Sequence, residues 1–132
     1  MNEDFSTVAD LEEFHSIPPG RYLCHVVEVR PRFRTDGAEQ WSIRWQVLEG
    51  ECAGRLAAWD TLTFSERALS RAKFVLDVLG FDVSGRLRLE SSELIGRRAW
   101  VSVILEDGPD ANGKLHRRTK VPFRGYDRAT TA

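Results

Sequence analysis

The chain has 132 residues, 42% of them hydrophobic and 30% charged, with a formal net charge of −1. That is material for one domain and one core. It contains no apolar run near the ~18 residues that a membrane helix needs, and no apolar stretch behind a basic N-terminus that would read as a secretory signal. Cys24 and Cys52 are the only cysteines, too few for a disulfide framework, so both read as reduced, buried side chains of a cytoplasmic protein.

The net charge conceals an asymmetry. Residues 1–19 hold Glu3, Asp4, Asp10, Glu12 and Glu13 and no Lys or Arg. Taking those five from the 20 acids leaves 15 against 19 bases, a body of +4 behind an acidic leader. In the leader, residues 1–16, Phe5, Val8, Leu11 and Phe14 recur every three residues, as in one or two helical turns. Ile17-Pro18-Pro19-Gly20 stops any helix there.

A first strand is predicted over Arg21–Arg30, with Pro31 at its end. Thr35-Asp36-Gly37 signals a turn. In the second strand Trp41, Ile43, Trp45 and Val47 alternate with Ser42, Arg44 and Gln46, so the first set faces a core. A third strand runs from Arg55 to Phe64. There Asp60 shares the parity of Leu56, Ala58 and Leu62, a conflict that a bulge would resolve. Ser65 and Glu66 open a helix over 66–79, carried by Ala68, Leu69, Ala72, Val75, Leu76 and Leu79 and stopped by Gly80. Ser91 or Ser92 caps a short turn ending at Gly96. A fourth strand is predicted over Arg97–Leu105, a hairpin at Asn112-Gly113, and a fifth strand over Lys114–Phe123.

Three strands, one helix and two strands is the chain order of the OB-fold, a five-stranded barrel. A β-sandwich fits less well, given five strands and a central helix. The expected organisation is the leader at 1–16, an OB domain at 17–126 and a tail at 127–132.

Catalytic and metal signatures do not emerge. His15, His25 and His116 lack close ligand spacing. Neither a phosphate-cradling glycine loop nor a nucleophile elbow occurs. Asp107, Asp110 and Asn112 fit a hairpin turn better than a calcium loop. The expectation is a protein without catalytic residues, cofactor or metal.

Nucleic-acid chemistry is better represented. Arg30-Pro31-Arg32-Phe33-Arg34 combines cations for phosphates with an aromatic face for a base. On the fifth strand, period two places Lys114, His116, Arg118 and Lys120 on one face. Such a row is self-repelling unless something anionic lies on it. Trp41 and Trp45 read as core, and Trp59, which shares the outward parity of Arg55 and Thr61, as the candidate stacking platform. The candidate contacts are Arg32, Arg34, Arg44, Lys114, Arg117, Arg118 and Lys120 for phosphates, with Phe33 and Trp59 for bases.

Gly20-Arg21-Tyr22, Trp45-Gln46-Val47-Leu48-Glu49-Gly50, Gly54-Arg55, Trp59-Asp60-Thr61-Leu62-Thr63, Leu94-Ile95-Gly96-Arg97 and Gly113-Lys114 together resemble the single-stranded DNA-binding proteins of phages and prophages, often described only as an uncharacterised phage family. The likeness spans residues 17–123. It implies an OB-fold that coats single-stranded DNA in phage-type replication or recombination, often beside a recombinase or annealase; many single-strand binders assemble, so a homo-oligomer is a separate expectation that the residues themselves do not decide. The competing expectation is an OB-like protein-interaction module with no DNA affinity of its own.

Overall fold

The computed structural model describes residues 17–85, 89–109, 113 and 115–129, with backbone alone at 108, 109 and 115–117. The leader expected at 1–16 and Lys114 lie outside the described residues. Strands β1 (Gly20–Phe33), β2 (Glu39–Val47) and β3 (Leu56–Phe64) are followed by helix α1 (Leu69–Val78) and a 3-10 turn at Ser91–Leu94. Then come β4 (Arg98–Pro109), β5 (Leu115–Lys120) and β6 (Tyr126–Arg128). The protein is mainly β, and its strands pair antiparallel in the order β3-β2-β1-β4-β5, with β6 also on β4.

The alternation in β2 does what its period requires. Trp41, Ile43, Trp45 and Val47 are all buried, while the residues between them are half-buried. Val26, Leu62, Val101 and Val103 meet them across the sheet, and Val75 and Leu76 meet them from α1. Each large side chain fully withdrawn from water contributes about 1.5–3 kcal/mol, which makes this face the main source of stability.

Several boundaries differ from expectation. β1 runs through Pro31 to Phe33. Its ladder with β4 stops at His25 and its hydrogen bonds to Gly96 and Arg97 stop at Val26, so Pro31 pairs with β2 alone and proline's missing N–H costs little. The helix starts at Leu69, because Ser65 caps the preceding turn by accepting the Ala68 N–H at 3.2 Å. It ends in a Schellman motif: Phe81 N donates to Leu76 O, Gly80 N donates to Asp77 O, and Gly80 has φ +97°. The 3-10 turn is capped by Glu90 rather than a serine, with Glu93 Oε2 accepting the Glu90 N–H at 2.7 Å.

A sixth strand, absent from the sequence reading, is the main correction. Tyr126–Arg128, taken as domain end and tail, pairs with Ala99–Val101. The chain reaches it through a tight reversal at Val121–Gly125. A Cβ on Gly125 would lie 2.9 Å from both Pro122 Cδ and Val121 Cγ1, so only glycine fits.

The third strand holds both the predicted bulge and a surprise. Trp45 faces Ala58 but Gln46 faces Leu56, so Ala57 is the extra residue and both alanines are buried. The bulge does not turn Asp60 outward. Asp60 stays on the inner side because it has partners there. Arg71 Nη2 and Nη1 donate to its two oxygens at 2.9 and 3.3 Å. The Tyr126 hydroxyl donates to Asp60 Oδ2 and itself accepts Trp45 Nε1–H at 3.1 Å. Burial, and then the neighbouring Asp60 charge, push the Tyr126 phenol well above its ordinary pKa. Burial alone would lower the pKa of Arg71; the hydrogen bond and charge of Asp60 outweigh it.

Two outcomes test this network. Tyr126→Phe leaves the buried Trp45 N–H unpartnered and removes one of the two hydrogen bonds to Asp60 Oδ2, and should lower unfolding stability by about 1–3 kcal/mol in denaturant titration. Because the folded-state pKa of Tyr126 is raised, its contribution is complete below the unfolded value near 10 and is lost as pH climbs toward the folded value. Stability of the wild type should therefore fall on the alkaline side, and Tyr126→Phe should flatten that fall.

Candidate nucleic-acid interface

The outer face of β1, β2 and β3 is set by the same alternation that builds the core. Residues between the buried positions of β2 must point away from it. Register then aligns them in rows across the sheet. Glu28 stands opposite Arg44, and Arg44 opposite Trp59. Arg30 stands opposite Ser42, and Ser42 opposite Thr61. Arg32 stands opposite Gln40, which donates to Thr63 Oγ1 at 3.1 Å.

Trp59 lies under two guanidinium groups. Arg30 is 4.8 Å and Arg44 5.8 Å from its ring centroid. Both arginines are also held by Glu28, Arg30 through a direct hydrogen bond and Arg44 at 3.9 Å. Exposed pairs of this kind contribute about 0–1 kcal/mol each, so an incoming anion can displace them at little cost.

β3 and β5 are the two ends of the strand order, and an open groove of about 630 Å³ separates them. Trp59, Asp60 and Thr61 form one wall, Arg118 and Lys120 the other. Glu106 on β4 reaches between those two cations, 3.2 Å from Lys120 Nζ and 3.7 Å from Arg118 Nε. The row of like charge on β5 is thus tolerated because the chain supplies its own anion. Within the strand the expected parity holds where side chains are described, with Arg118 and Lys120 exposed and Thr119 half-buried between them; the strand ends at Lys120 rather than Phe123, and beyond it Val121 is buried while Phe123 is 55% exposed.

The structure brings Arg44, Trp59, Arg118 and Lys120 around one groove and its adjoining face. Arg32 lies further along that face, and Phe33, 70% exposed, ends β1. Both belong to the strand rather than to the loop that was expected to hold them. Arg34 has a structural task. Its Nε donates to Asp36 Oδ1 at 3.1 Å and its Nη2 to Oδ2, and Asp36 also accepts the Ala38 N–H. The hydrogen bond from Arg34, and then that from the Ala38 N–H, hold the Asp36 carboxyl down at about 2. Arg117 pairs by backbone with Asp107.

Trp41 and Trp45 are core residues, as predicted, and Trp100 is half-buried on the outer side of β4 beneath Arg21, 4.6 Å from its ring. Sequence reasoning missed Arg30 as a partner of Trp59, and Glu28 and Glu106 as the carboxylates that hold the cations. Parity alone puts Arg30 with Arg32. Only the cross-strand register puts it over Trp59.

Among the described residues no group of three His, Cys, Asp or Glu side chains could hold a metal ion, and no helix is long and apolar enough to cross a membrane. Burial pushes the Cys24 thiol up to about 12, so it is a packed apolar group rather than a nucleophile.

Residues 4–108 match the family model described as protein of unknown function DUF669. The chain belongs to the DUF669 family. The match starts inside the acidic leader and ends within β4, so β5 and β6 of this DUF669 protein lie beyond it. No curated protein matches the chain.

The four tryptophans separate by environment. Iodide, an anion drawn to guanidinium groups, should quench Trp59 and Trp100 and leave Trp41 and Trp45 protected. Trp59→Phe combined with Trp100→Phe should abolish most of the iodide-quenchable fluorescence, as read from Stern–Volmer plots.

Proposed function

We propose that this DUF669 protein is an OB-fold that binds single-stranded DNA without catalysing a reaction. The sheet order β3-β2-β1-β4-β5 supports an OB arrangement in which the two end strands approach across the groove. The observation that carries the reading is this groove. An aromatic ring carrying two arginines stands on one side and Arg118 and Lys120 on the other. Aromatic faces hold bases without reading them, and cations track the phosphates; this is the pairing that single-strand binders use. A base stacked on Trp59 takes the place of an arginine, and the released arginine is then free for a phosphate. The likeness to phage-type single-strand binders suggests a role in replication or recombination beside a recombinase or annealase.

A titration of intrinsic fluorescence with oligo-dT at several salt concentrations tests the proposal. With about five phosphates neutralised, log affinity should fall with log salt at a slope of roughly −3 to −4. Arg118→Glu with Lys120→Glu should weaken binding and reduce the slope by about 1.4, at ~0.7 per lost contact. Glu106→Gln removes the competing carboxylate and should tighten binding about two- to fivefold. Absent or salt-independent binding refutes the proposal and leaves a protein-interaction module, whose partner binding the double reversal would leave intact.

A further inference from the structure

A second basic cleft lies away from the β3–β5 groove, at the C-terminal end of α1. It measures about 480 Å³ and carries Arg97, Arg98 and Arg128 around a floor of Val78 and Leu79. Arg128 donates to Asp77 at 2.8 Å, which also suits the negative end of the helix dipole. Arg97 lies over the Phe81 ring at 4.3 Å, close beside Gly80. Arg98 has no ion pair among the described residues. Asp77 therefore offsets one of three positive charges at this site, whereas at the groove the two lining cations, Arg118 and Lys120, face two lining carboxylates, Glu106 and Asp60. The larger uncompensated charge in a cleft is here. Next to it Ile95 is 53% exposed. A site with guanidinium groups at the rim and aliphatic carbon at the floor suits a peptide that is both acidic and apolar, more than it suits a bare phosphate chain.

The chain contains such a segment. Residues 1–16 carry all five leader acids, no Lys or Arg, and Phe5, Val8, Leu11 and Phe14 at regular spacing. The family match begins at residue 4, so this segment belongs to the family's domain and is not an appended tail.

Reach is sufficient. Ile17 is buried, Tyr22 Oη donates to Pro18 O at 2.7 Å, and Gly20 pairs with Val103, which anchors the point where the leader joins the sheet. From Gly20 to His25, the partner of Arg98, is about 17 Å at ~3.3 Å per residue. Sixteen residues of extended chain span up to about 50 Å. A tethered segment also acts at millimolar effective concentration, which favours a chain's own leader over that of another copy. An apolar cleft of about 220 Å³ between Trp41, Phe64, Leu76 and Leu89 has Glu39 at its rim and would repel the leader's acids.

We infer that the cleft formed by Arg97, Arg98 and Arg128 is the docking site for the acidic leader of the same chain. The arginines take the leader's carboxylates, and the exposed Ile95 beside them takes part of its apolar stripe. Docked there, the leader is kept away from the β3–β5 groove, and two of its five negative charges are matched by Arg97 and Arg98. The inference does not depend on whether the groove binds DNA.

Hydrogen exchange of the full-length chain, read by mass spectrometry, tests it without a DNA assay. At low salt the amides of residues 1–16 should exchange at least ~5-fold more slowly in the wild type than in a full-length Arg97→Glu/Arg98→Glu variant. Adding Glu12→Lys and Glu13→Lys to that variant should restore the protection by reversing both sides of the contact. Unchanged exchange of β2 amides establishes that each variant is folded. Equal leader exchange in wild type and variant overturns the inference. So does protection that grows with protein concentration, which would place the leader on a second copy. Protection of residues 97–98 by oligo-dT with no protection of the leader also overturns it, in favour of a nucleic-acid site.

Discussion

The carboxylate of Asp60 is the point on which this structure turns. It sits on the core side of β3 and is 13% exposed, a position that an unpaired charge could hold only at a cost of several kcal/mol. Three elements distant in sequence meet it. Arg71 comes from α1, the Tyr126 hydroxyl from β6, and Trp45 from β2 through that hydroxyl. Arg71 extends the network by donating to the carbonyls of Thr61 and Phe123 and by lying 5.5 Å from the Phe123 ring. Among the described residues, no buried side-chain polar atom is left without a partner. A fully satisfied network of this kind fixes geometry as well as energy, because any shift of one element unpairs the others. It fastens the helix and the last strand to the end of the sheet where the groove opens.

That placement links the interior to the candidate site. Trp59 is the immediate neighbour of Asp60, and strand alternation sends one side chain outward because the other goes inward. Holding Asp60 therefore aims Trp59. On the opposite wall, Val121 is buried while Lys120 is exposed, by the same rule. The reversal at Gly125, where Gly125 O accepts the Ser102 N–H at 2.7 Å, returns the chain so that Tyr126 can reach Asp60. The groove is thus bounded on both sides by strands whose inner residues are anchored.

Electrostatics around the groove follow one pattern. Carboxylates hold the cations on both sides: Glu28 holds Arg30 and Arg44, and Glu106 holds Arg118 and Lys120. These pairs are substantially exposed, so water screens them and they add little to stability. Each carboxylate gathers two cations on one face, Arg30 with Arg44 and Arg118 with Lys120. A nearly neutral chain can in this way present an ordered cationic surface that net charge does not reveal.

Much of this protein was legible in the sequence. Period-two alternation placed Trp41, Ile43, Trp45 and Val47 in the core, because only one face of the strand can be withdrawn from water. The parity of β5 put Arg118 and Lys120 outside, and the 3–4 spacing after Ser65 announced α1. Those are local rules, and local rules act within a few residues. What depended on pairing between distant segments was not legible. Tyr126–Arg128 is too short to signal a strand until β4 offers it a ladder. Asp60 looked like an error of facing until Arg71 and Tyr126 arrived from 11 and 66 residues away. Arg30 became the partner of Trp59 only through the register of three strands. Alternation is written in the chain itself, whereas register and charge compensation are chosen when the whole core packs, since a slip of one residue would bury the wrong face.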